Sequence, residues 1–314
     1  MLAEEVRSGL VETVHDGAVA VVAASGELIA SYGEVDRPFY FRSSAKPFQA
    51  TVAQASGAGL VREQLALACA SHDGQPVQVA LVESILAKAG LTADDLGNPA
   101  DWPLARAAGQ RLVAGGAAVP KRLWHNCSGK HAAMLAATVA SGWDPANYLD
   151  PSHPLQVRIT EMMKDVAGAV DPIGVDGCGA PVFATTARAM ARAYARLSTA
   201  TEFRETFEAM HAFPALVSGV GNVDAAIATQ LDSVAKRGAA GVLGISLRGR
   251  AGLAVKVWSG SGLVAGLAGV AALDQMGALT PHARERLERH SHPVVKGGGR
   301  PVGRFEPRLE LRWQ

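Results

Sequence analysis

The sequence predicts an α+β fold in which strands from both ends of the chain form one antiparallel sheet beside a mostly helical region. Its first part contains three short β-prone runs separated by turn dipeptides, namely Leu10–Val14, Ala18–Val22 and Leu28–Ser31. Near the other end, two apolar runs flank an Arg-Gly-Arg-Ala-Gly hairpin signature, Gly241–Leu247 and Leu253–Trp258. Such layouts place a cleft between the sheet and the helices.

The segment between these runs has helical character. From about residue 45 to about residue 235, apolar side chains recur at helical spacing, and the last such stretch is Ala225–Lys236. An apolar Gly/Ala-rich run, Gly262–Met276, predicts a largely buried helix. We therefore expect one domain over residues 1–290 with the helical region inside it. Residues 291–314 are rich in Gly, Pro and Arg without periodicity and predict a surface tail.

Composition limits the possible partners. The chain has 314 residues with 30 basic and 29 acidic side chains, which argues against a nucleic-acid or polyanion surface. No apolar run reaches membrane-spanning length, and the N-terminus lacks a signal pattern. Three cysteines do not make a disulfide framework. We expect a soluble cytoplasmic protein that binds a small molecule, and neither nucleic acid nor membrane.

The stretch Ser43-Ser44-Ala45-Lys46 places a hydroxyl three residues before a lysine. On a helix these positions share a face, so a neutral Lys46 amine could take the proton of Ser43 and make it a nucleophile. Pro47 favours the first helical turn, where backbone N–H groups could stabilise an oxyanion. The spacing is that of penicillin-binding proteins and serine β-lactamases. The alternative is an N-capping serine with a solvated lysine.

Two further segments combine reactive side chains with turn residues. Ser71 and His72 follow an apolar helix and are equally consistent with a C-cap turn or a functional corner. Lys236-Arg237-Gly238 loosely matches the Lys-Thr-Gly of penicillin-recognising enzymes, although the predicted strand starts later. A solvated lysine at a helix C-terminus is the alternative there.

Two cysteines lie in polar or glycine-rich segments. Cys127 and Lys130 repeat the i, i+3 relation, and Cys178 is flanked by glycines in the loop 176–181. Soft thiolates select zinc, but the spacing is not a paired CxxC pattern, so free buried thiols are the commoner interpretation.

Together these segments resemble the Rhizobium etli-type L-asparaginases, the asparaginase II family. The likeness runs from Val6 to about Gly266. The strings that carry it are Val14-His15-Asp16-Gly17-Ala18-Val19-Ala20-Val21, Arg42-Ser43-Ser44-Ala45-Lys46-Pro47-Phe48-Gln49, Ala68-Cys69-Ala70-Ser71-His72, Asn126-Cys127-Ser128-Gly129-Lys130-His131, His153-Pro154-Leu155-Gln156 and Asp176-Gly177-Cys178-Gly179-Ala180-Pro181.

The resemblance implies hydrolysis of the side-chain amide of L-asparagine to aspartate and ammonia, a fold like that of serine β-lactamases and glutaminases, and a homodimer. It implies two serine–lysine pairs, Ser43 with Lys46 and Ser71 with Lys236, and leaves open which serine is the nucleophile. It implies a zinc ion, and three residues would hold it: Cys127, Lys130 and Cys178. Residues expected to orient or bind the substrate are His72, Asn126, His131, Asp176 and Gly177.

The sequence departs from the family pattern at two acidic positions. Ala240 replaces the acid of a Lys-x-Gly-Ala-Glu-Gly string, and Ser259 replaces the acid of an Asp-Gly turn. A carboxylate is the natural partner of a substrate ammonium group, so these changes leave the substrate open. The alternatives are a β-lactam or peptide acyl-transfer enzyme of the Ser-x-x-Lys type, and a catalytically weakened amino-acid-binding homologue.

Overall fold

A computed structural model describes residues 1–314, and in it two units interleave along the chain. The sheet unit consists of Met1–Ser44, Thr185–Ala200 and Gly221–Gln314, and the helical unit of Ala45–Ala184 and Thr201–Val220. The sequence predicted one domain with one helical region at about 45–235. The helix at 187–197 and the helix and strand after residue 221 belong instead to the sheet unit.

The sheet unit contains most of the strands, numbered here in chain order. They are β1 (Ala3–Arg7), β2 (Leu10–His15), β3 (Gly17–Ala23), β4 (Leu28–Tyr32), β5 (Phe39–Tyr40), β8 (Ser233–Gly238), β9 (Val242–Leu247), β10 (Ala251–Val257), β11 (Val294–Gly297), β12 (Arg300–Pro307) and β13 (Arg312–Trp313). Its helices are α7 (Ala187–Leu197), α10 (Val223–Gln230), α11 (Gly262–Gln275) and α12 (Pro281–Ser291).

The main sheet joins the two ends of the chain, as the sequence predicted. Its six strands follow the order β13-β4-β3-β10-β9-β8 and every neighbouring pair is antiparallel. In the central register Val255 lies opposite both Val19 and Leu243. Apolar side chains of this sheet pack with α11 and α12 into one core, which explains why α11 is apolar around its circumference. The α+β fold class is therefore confirmed.

Helix α7 lies directly on the other side of strand β10, and glycines permit the approach. A methyl group at Gly252 would lie 2.0 Å from the carbonyl oxygen of Ala191 and 2.2 Å from the amide nitrogen of Ala195. At Gly244 it would lie 2.3 Å from the ring of Tyr194. The alanine-rich sequence of α7 is thus the small-side-chain surface that lets a helix backbone contact a strand.

The prediction of a tail without secondary structure at 291–314 is wrong, because three strands form there. Strands β11 and β12 join β1 and β2 in a second antiparallel sheet of order β11-β12-β1-β2, in which Glu306 lies opposite Glu4. Strand β13 pairs with β4, with Trp313 opposite Ala30. The local sequence gives little signal, since the hydrogen-bond partners of these strands come from the distant N-terminus.

The predicted continuation of a helix to Lys236 is also wrong. Helix α10 ends at Gln230, and Ser233–Gly238 is strand β8, in which Lys236 lies opposite Gly244 of β9. The pairing with β9 supplies backbone hydrogen bonds that override the local helical pattern. Lys236-Arg237-Gly238 consequently lies on the edge strand of the main sheet.

The helical unit contains eight helices and one β-hairpin. They are α1 (Lys46–Ala53), α2 (Arg62–Ala68), α3 (Pro76–Lys88), α4 (Arg106–Ala114), α5 (Ser128–Ala140), α6 (Pro154–Ala167), β6 (Ile173–Val175), β7 (Pro181–Thr185), α8 (Arg204–Ala212) and α9 (Pro214–Ser218). Almost all of α5 is buried, and so is α1 throughout. No helix in the chain has the length and apolar character needed to cross a membrane.

Gly252 provides a test of the packing of α7. We expect Gly252→Ala to lower the free energy of unfolding by at least about 2 kcal/mol, because the new methyl group overlaps helix backbone that cannot move aside. Gly262→Ala is the matched control, since a methyl group there meets nothing within 4 Å, and its effect should stay within about 0.5 kcal/mol. Urea unfolding measures both. Equal stability of the two variants would contradict this packing.

Candidate active site

The amine of Lys46 is buried in the helical unit and hydrogen-bonded to a neighbouring loop. Lys46 is the first residue of α1, with Pro47 in the first turn as the sequence predicted. Its side chain is 1% exposed. Nζ donates to the carbonyl oxygen of Ala70 at 2.5 Å and to Ser71 Oγ at 3.1 Å. The sequence paired Lys46 with Ser43 through local spacing, and the structure adds Ser71 as a contact.

The loop that carries Ser71 follows α2 and is held by backbone hydrogen bonds from two other segments. The amide of Ser71 donates to the carbonyl of Val217 at 2.9 Å, and the amide of His72 donates to that of Asn126 at 3.1 Å. Both Ser71 and His72 are buried. The Ser71 hydroxyl is therefore held in place against Lys46 rather than lying in a solvated turn.

The ring of His72 holds this loop in place through hydrogen bonds at both of its nitrogens. The amide of Gly74 donates to His72 Nδ1 at 3.1 Å, so Nε2 carries the ring proton and donates to Ser128 Oγ at 2.8 Å. Ser128 in turn donates to the carbonyl of Leu123 at 2.9 Å. Burial, followed by the positive charge of Lys46, lowers the pKa of His72 to about 3. With both nitrogens bonded inside the protein, the ring is suited to holding the loop.

The start of α5 brings the Cys127–Lys130 motif close to this loop. A methyl group at Gly129 would lie 2.6 Å from the carbonyl oxygen of Leu67, so the glycine permits close contact between α5 and α2. The amide of Cys127 donates to His125 Nδ1 at 3.0 Å, and its thiol donates to Asn126 Oδ1 at 3.1 Å. Burial, and then the charge of Lys46, lowers the pKa of His125.

Cys178 lies in the turn of the β6–β7 hairpin. The amide of Gly179 donates to the carbonyl of Asp176 at 2.8 Å, and the amide of Asp176 donates to that of Ala180 at 2.9 Å. Gly179 has a φ of +86°, which the turn requires. Asp176 Oδ1 accepts the amide of Gly177 at 2.9 Å. The acidic side chain thus stabilises the turn that presents the cysteine.

The three predicted zinc ligands lie together. Cys127 and Cys178 pack in one small cluster with Ala180, and Lys130 Nζ lies 3.2 Å from Cys178 Sγ. The neighbouring thiol of Cys127, and then the charge of Lys130, lowers the pKa of the Cys178 thiol against the effect of burial. The same contact, with burial, raises the pKa of Cys127. These opposite shifts favour the thiolate form of Cys178 over that of Cys127.

This donor set fits zinc, which prefers sulfur and nitrogen ligands. No group of three His, Cys, Asp or Glu side chains is close enough to hold a metal ion, so a metal here would depend on two thiolates and the lysine amine. His131 adjoins these residues, because its Nδ1 lies 2.6 Å from the hydroxyl of Tyr148 and its ring lowers the pKa of Cys178. Burial lowers the pKa of His131 to about 4, so its ring is neutral beside the thiolate.

In the sheet unit, Ser43 lies in a 3-10 turn, Arg42–Ala45, and is half-buried. Its neighbour Ser44 anchors this turn, because Ser44 Oγ donates to the carbonyl of Lys236 at 2.8 Å and its carbonyl accepts the hydroxyl of Tyr194 at 2.8 Å. Arg42 has a φ of +52°, a strained value for a residue with a side chain. Strain of this kind recurs at functional sites.

Lys236 is fully buried on β8, and its Nζ donates to the carbonyl of Arg237 at 2.7 Å. The sequence-based alternative, a solvated lysine at a helix end, is wrong, because Lys236 belongs to a strand that pairs with β9. The turn that contains Ser43 and the strand that contains Lys236 are therefore joined through Ser44.

One of the two positions that depart from the family pattern, Ala240, contacts a buried lysine. Lys256 Nζ donates to the carbonyls of Ala240 and, at 2.9 Å, Val257, and it has no carboxylate partner. Burial, and then the charges of Arg37 and Arg42, lowers its pKa. The hydroxyl of Ser259 lies 2.8 Å from His15 Nδ1.

Sequence reasoning missed the residues that support this site. Ser128 and Leu123 support His72, and Tyr148 contacts His131, yet none of these three residues was singled out. Ser128 lies within the Asn-Cys-Ser-Gly-Lys-His string, which was a usable signal. Tyr148 lies in a segment without any motif, so only the fold reveals its contact with His131.

Comparisons with known proteins identify one family. A family model described as L-asparaginase II matches residues 3–307. No curated protein matches the chain. Among solved structures, the native form of Mglu is 15% identical over 88% of this chain and 68% of that chain, with a TM-score of 0.39. Its tris and glutamate form is 16% identical over 88% of this chain and 63% of that chain, with a TM-score of 0.38.

The buried neutral state of His72 makes stability depend on pH. In the unfolded chain His72 has a pKa of about 6.5, whereas in the folded protein its pKa is about 3. Between these two pH values the unfolded chain therefore binds a proton that the folded protein does not bind. The contribution of His72 to stability is therefore constant above that range and falls as pH decreases through it. For His72 the loss approaches ~1.4 kcal/mol per pH unit.

Urea unfolding at a series of pH values measures this effect. We expect His72→Gln, which keeps an amide donor but cannot titrate, to have a flatter pH dependence than the unsubstituted protein. His282→Gln, at an exposed position on α12, should keep the original slope. Identical slopes for the His72 variant and the unsubstituted protein would show that His72 is not buried in its neutral form.

Proposed function

The chain belongs to the L-asparaginase II family, a family of amidohydrolases, and we propose that it hydrolyses the side-chain amide of L-asparagine to L-aspartate and ammonia. Membership of the family supports amide hydrolysis as the reaction class. The contacts of this chain's own residues support the proposed serine–lysine mechanism. A homodimer and a cytoplasmic location stay predictions.

The observation that carries the proposal is the contact between Lys46 Nζ and Ser71 Oγ at 3.1 Å in a buried site. Serine attacks a carbonyl well only when a neighbouring base takes its proton. The amine is within hydrogen-bond reach of this hydroxyl, and no histidine or carboxylate is needed for the transfer. Deprotonated, Lys46 would act as the general base.

The proposed reaction has two halves. In the first, the serine oxygen attacks the amide carbon, its proton passes to the lysine amine and then to the leaving nitrogen, and ammonia departs. In the second, water attacks the resulting ester and gives a proton to the same amine, the amine passes that proton to the departing serine oxygen, and the carboxylic acid is released. Once Lys46 has lost its own proton, its amine ends each half in the neutral state in which it began.

Two serines compete for the role of nucleophile. Ser71 has the direct contact with Lys46, whereas Ser43 lies beside the strained Arg42 and is the nucleophile that the Ser-x-x-Lys pattern predicts. Lys236 stays a predicted member of the second serine–lysine pair that the family resemblance implies. Backbone N–H groups at the start of α1 would receive the developing oxyanion.

We propose that polar groups of the helical unit orient the substrate. Asn126 and Asp176 are half-buried, and Gly177 leaves the turn backbone open to a ligand. Asp176 would receive the substrate ammonium group, which is the natural partner of a carboxylate. His72 acts through the loop that it holds.

A zinc ion, if bound, would be held by Cys127, Lys130 and Cys178 and would supply a local positive charge. It would require the neutral amine of Lys130 and both thiolates, so binding would release protons. Its place beside the Asp176 turn suits it to organising the hairpin. The proton transfers above do not involve it.

Loss of the Lys46 amine tests the proposed chemistry. We expect Lys46→Met to reduce ammonia release from L-asparagine by about 10²–10⁴-fold, the usual contribution of a general base. Lys164→Met, at an exposed position of α6, is the matched control and should keep full activity. Ammonia release from L-asparagine and L-glutamine, with thermal unfolding of each variant, measures this. Undiminished turnover by folded Lys46→Met would exclude the proposal.

Ser43→Ala and Ser71→Ala decide between the nucleophiles, since the acyl-enzyme ester can form on one serine only. Peptide mass spectrometry of an acid-quenched reaction identifies the modified residue. The rival function, acyl transfer from β-lactams or peptides, gains support from the position of Lys236-Arg237-Gly238 on the edge strand β8. A stable fluorescent-penicillin adduct without ammonia release would favour that rival.

Zinc content is a separate expectation. We expect the purified protein to bind about one zinc ion per chain, and Cys178→Ser to lose it, since three protein ligands are needed for a stable site. Cys69 is a buried cysteine that belongs neither to the Cys127–Lys130 motif nor to the loop of Cys178. Cys69→Ser is therefore the control and should keep the metal. Metal analysis and thermal unfolding with and without a chelator are the measurements. Equal metal content in the two variants would contradict the assignment.

A further inference from the structure

A cavity lies in the sheet unit between the end of β8 and the helices α10, α11 and α12. Its volume is about 400 Å³, which is within the range of small-molecule sites. The polar and glycine residues that line it include Asn222, Arg237, Gly262, Gly266, Arg289 and His290. No acidic side chain lines it, so its charge is set by two arginines.

Arg237 is held in a fixed orientation at the wall of this cavity. Its Nη1 donates to Asn222 Oδ1 at 2.8 Å, and its Nε lies 3.9 Å from Oδ2 of the fully buried Asp224. The backbone amide of Arg237 donates to the same oxygen at 3.3 Å. Asp224 offsets one positive charge from behind the cavity, and Arg237 is thereby positioned with little remaining freedom.

Arg289 supplies a charge that no carboxylate offsets. Its Nε donates to His290 Nε2 at 3.2 Å, and it forms no ion pair. Because an arginine always donates, His290 Nε2 is the acceptor and the ring is neutral. Burial, and then the charge of Arg289, lowers the pKa of His290, which agrees with a neutral ring. The lining therefore keeps a net positive charge.

Two helix N-termini add to this charge. The cavity is lined by Asn222 and Val223 at the start of α10, and by Gly262 and Leu263 at the start of α11. At the start of α11 the hydroxyl of Ser261 accepts a hydrogen bond from the amide of Val264. The amides that precede Val264 in the first turn have no acceptor within the helix. A methyl group at Gly262 would meet nothing within 4 Å, so backbone is exposed there.

We propose that this cavity binds a small oxyanion, a phosphate or a carboxylate, between Arg237, Arg289 and the first turns of α10 and α11. Arginine recognises both groups through paired N–H donors, and helix N-termini favour negative charge. The charged walls, the open backbone and the absence of an acidic lining side chain all favour an anion over a neutral or cationic ligand.

The proposed anion site is separate from Lys236, the lysine of the second predicted serine–lysine pair, although Arg237 directly follows Lys236 in the sequence. Side chains alternate between the two faces of a strand, so Arg237 and Lys236 point to opposite faces of β8. An anion beside Arg237 would not occupy the position of a substrate beside Lys236. Binding here can thus be measured without reference to the activity of the enzyme.

Titration calorimetry with inorganic phosphate, and in parallel with succinate, tests the proposal on the full chain at low salt. We expect saturable binding of at least one of the two anions, and the stronger binder identifies the source of the oxyanion. Arg289→Gln should weaken it at least about tenfold, because one charge-assisted contact is lost. Gly262→Glu, which places a carboxylate in open space, should abolish it.

Arg286→Gln is the matched control, an exposed arginine of the same helix outside the cavity, and should bind as the unsubstituted protein does. Arg289 has no carboxylate partner, so its loss leaves no buried charge and the variant should unfold at an unchanged temperature. No saturable binding of either anion, or equal weakening by Arg286→Gln and Arg289→Gln, would overturn the proposal.

Discussion

The hydrogen bonds of the buried Lys46 amine are the constraint on which the rest of the candidate site depends. A buried amine is costly unless oxygen atoms accept its protons, and both acceptors come from adjacent residues of one loop, Ala70 and Ser71. That loop must therefore stay in contact with α1. Bonds to Val217 and Asn126 secure it, and these bring the α8–α9 segment and the start of α5 into the same site.

The charge of Lys46 extends this influence to its neighbours. It contributes to the lowered pKa values of His72 and His125, so both rings stay neutral and serve as hydrogen-bonding supports. A second buried lysine, Lys130, acts in the opposite sense on Cys178, whose thiolate it stabilises. One unit thus contains a lysine near a hydroxyl and a lysine near a thiolate, and the first suits proton transfer while the second suits metal binding.

The sequence predicted the sheet formed by both ends of the chain, because β-prone apolar runs and turn dipeptides are local signals. It could not predict that β12 pairs with β1, or that Lys236 lies on a strand, because distant partners decide these conformations. The residues of the candidate site were likewise predicted only where the signal is local. Local spacing singled out Lys46, Cys127 and Lys130, whereas the contact of Lys46 with Ser71 spans 25 positions and has no local signature. Likewise, the support of His72 by Ser128 follows from the packing of α5 on α2.

The central claim is that Lys46 and Ser71 act as one chemical unit, and a double-mutant cycle tests it most directly. The specificity constant, kcat/KM, for ammonia release is measured for the unsubstituted protein, Lys46→Met, Ser71→Ala and the double variant. If the two residues act together, the double variant should be no slower than the slower single variant, because either change already removes the shared step. Multiplicative losses in the double variant would show that the residues act independently and would contradict this account.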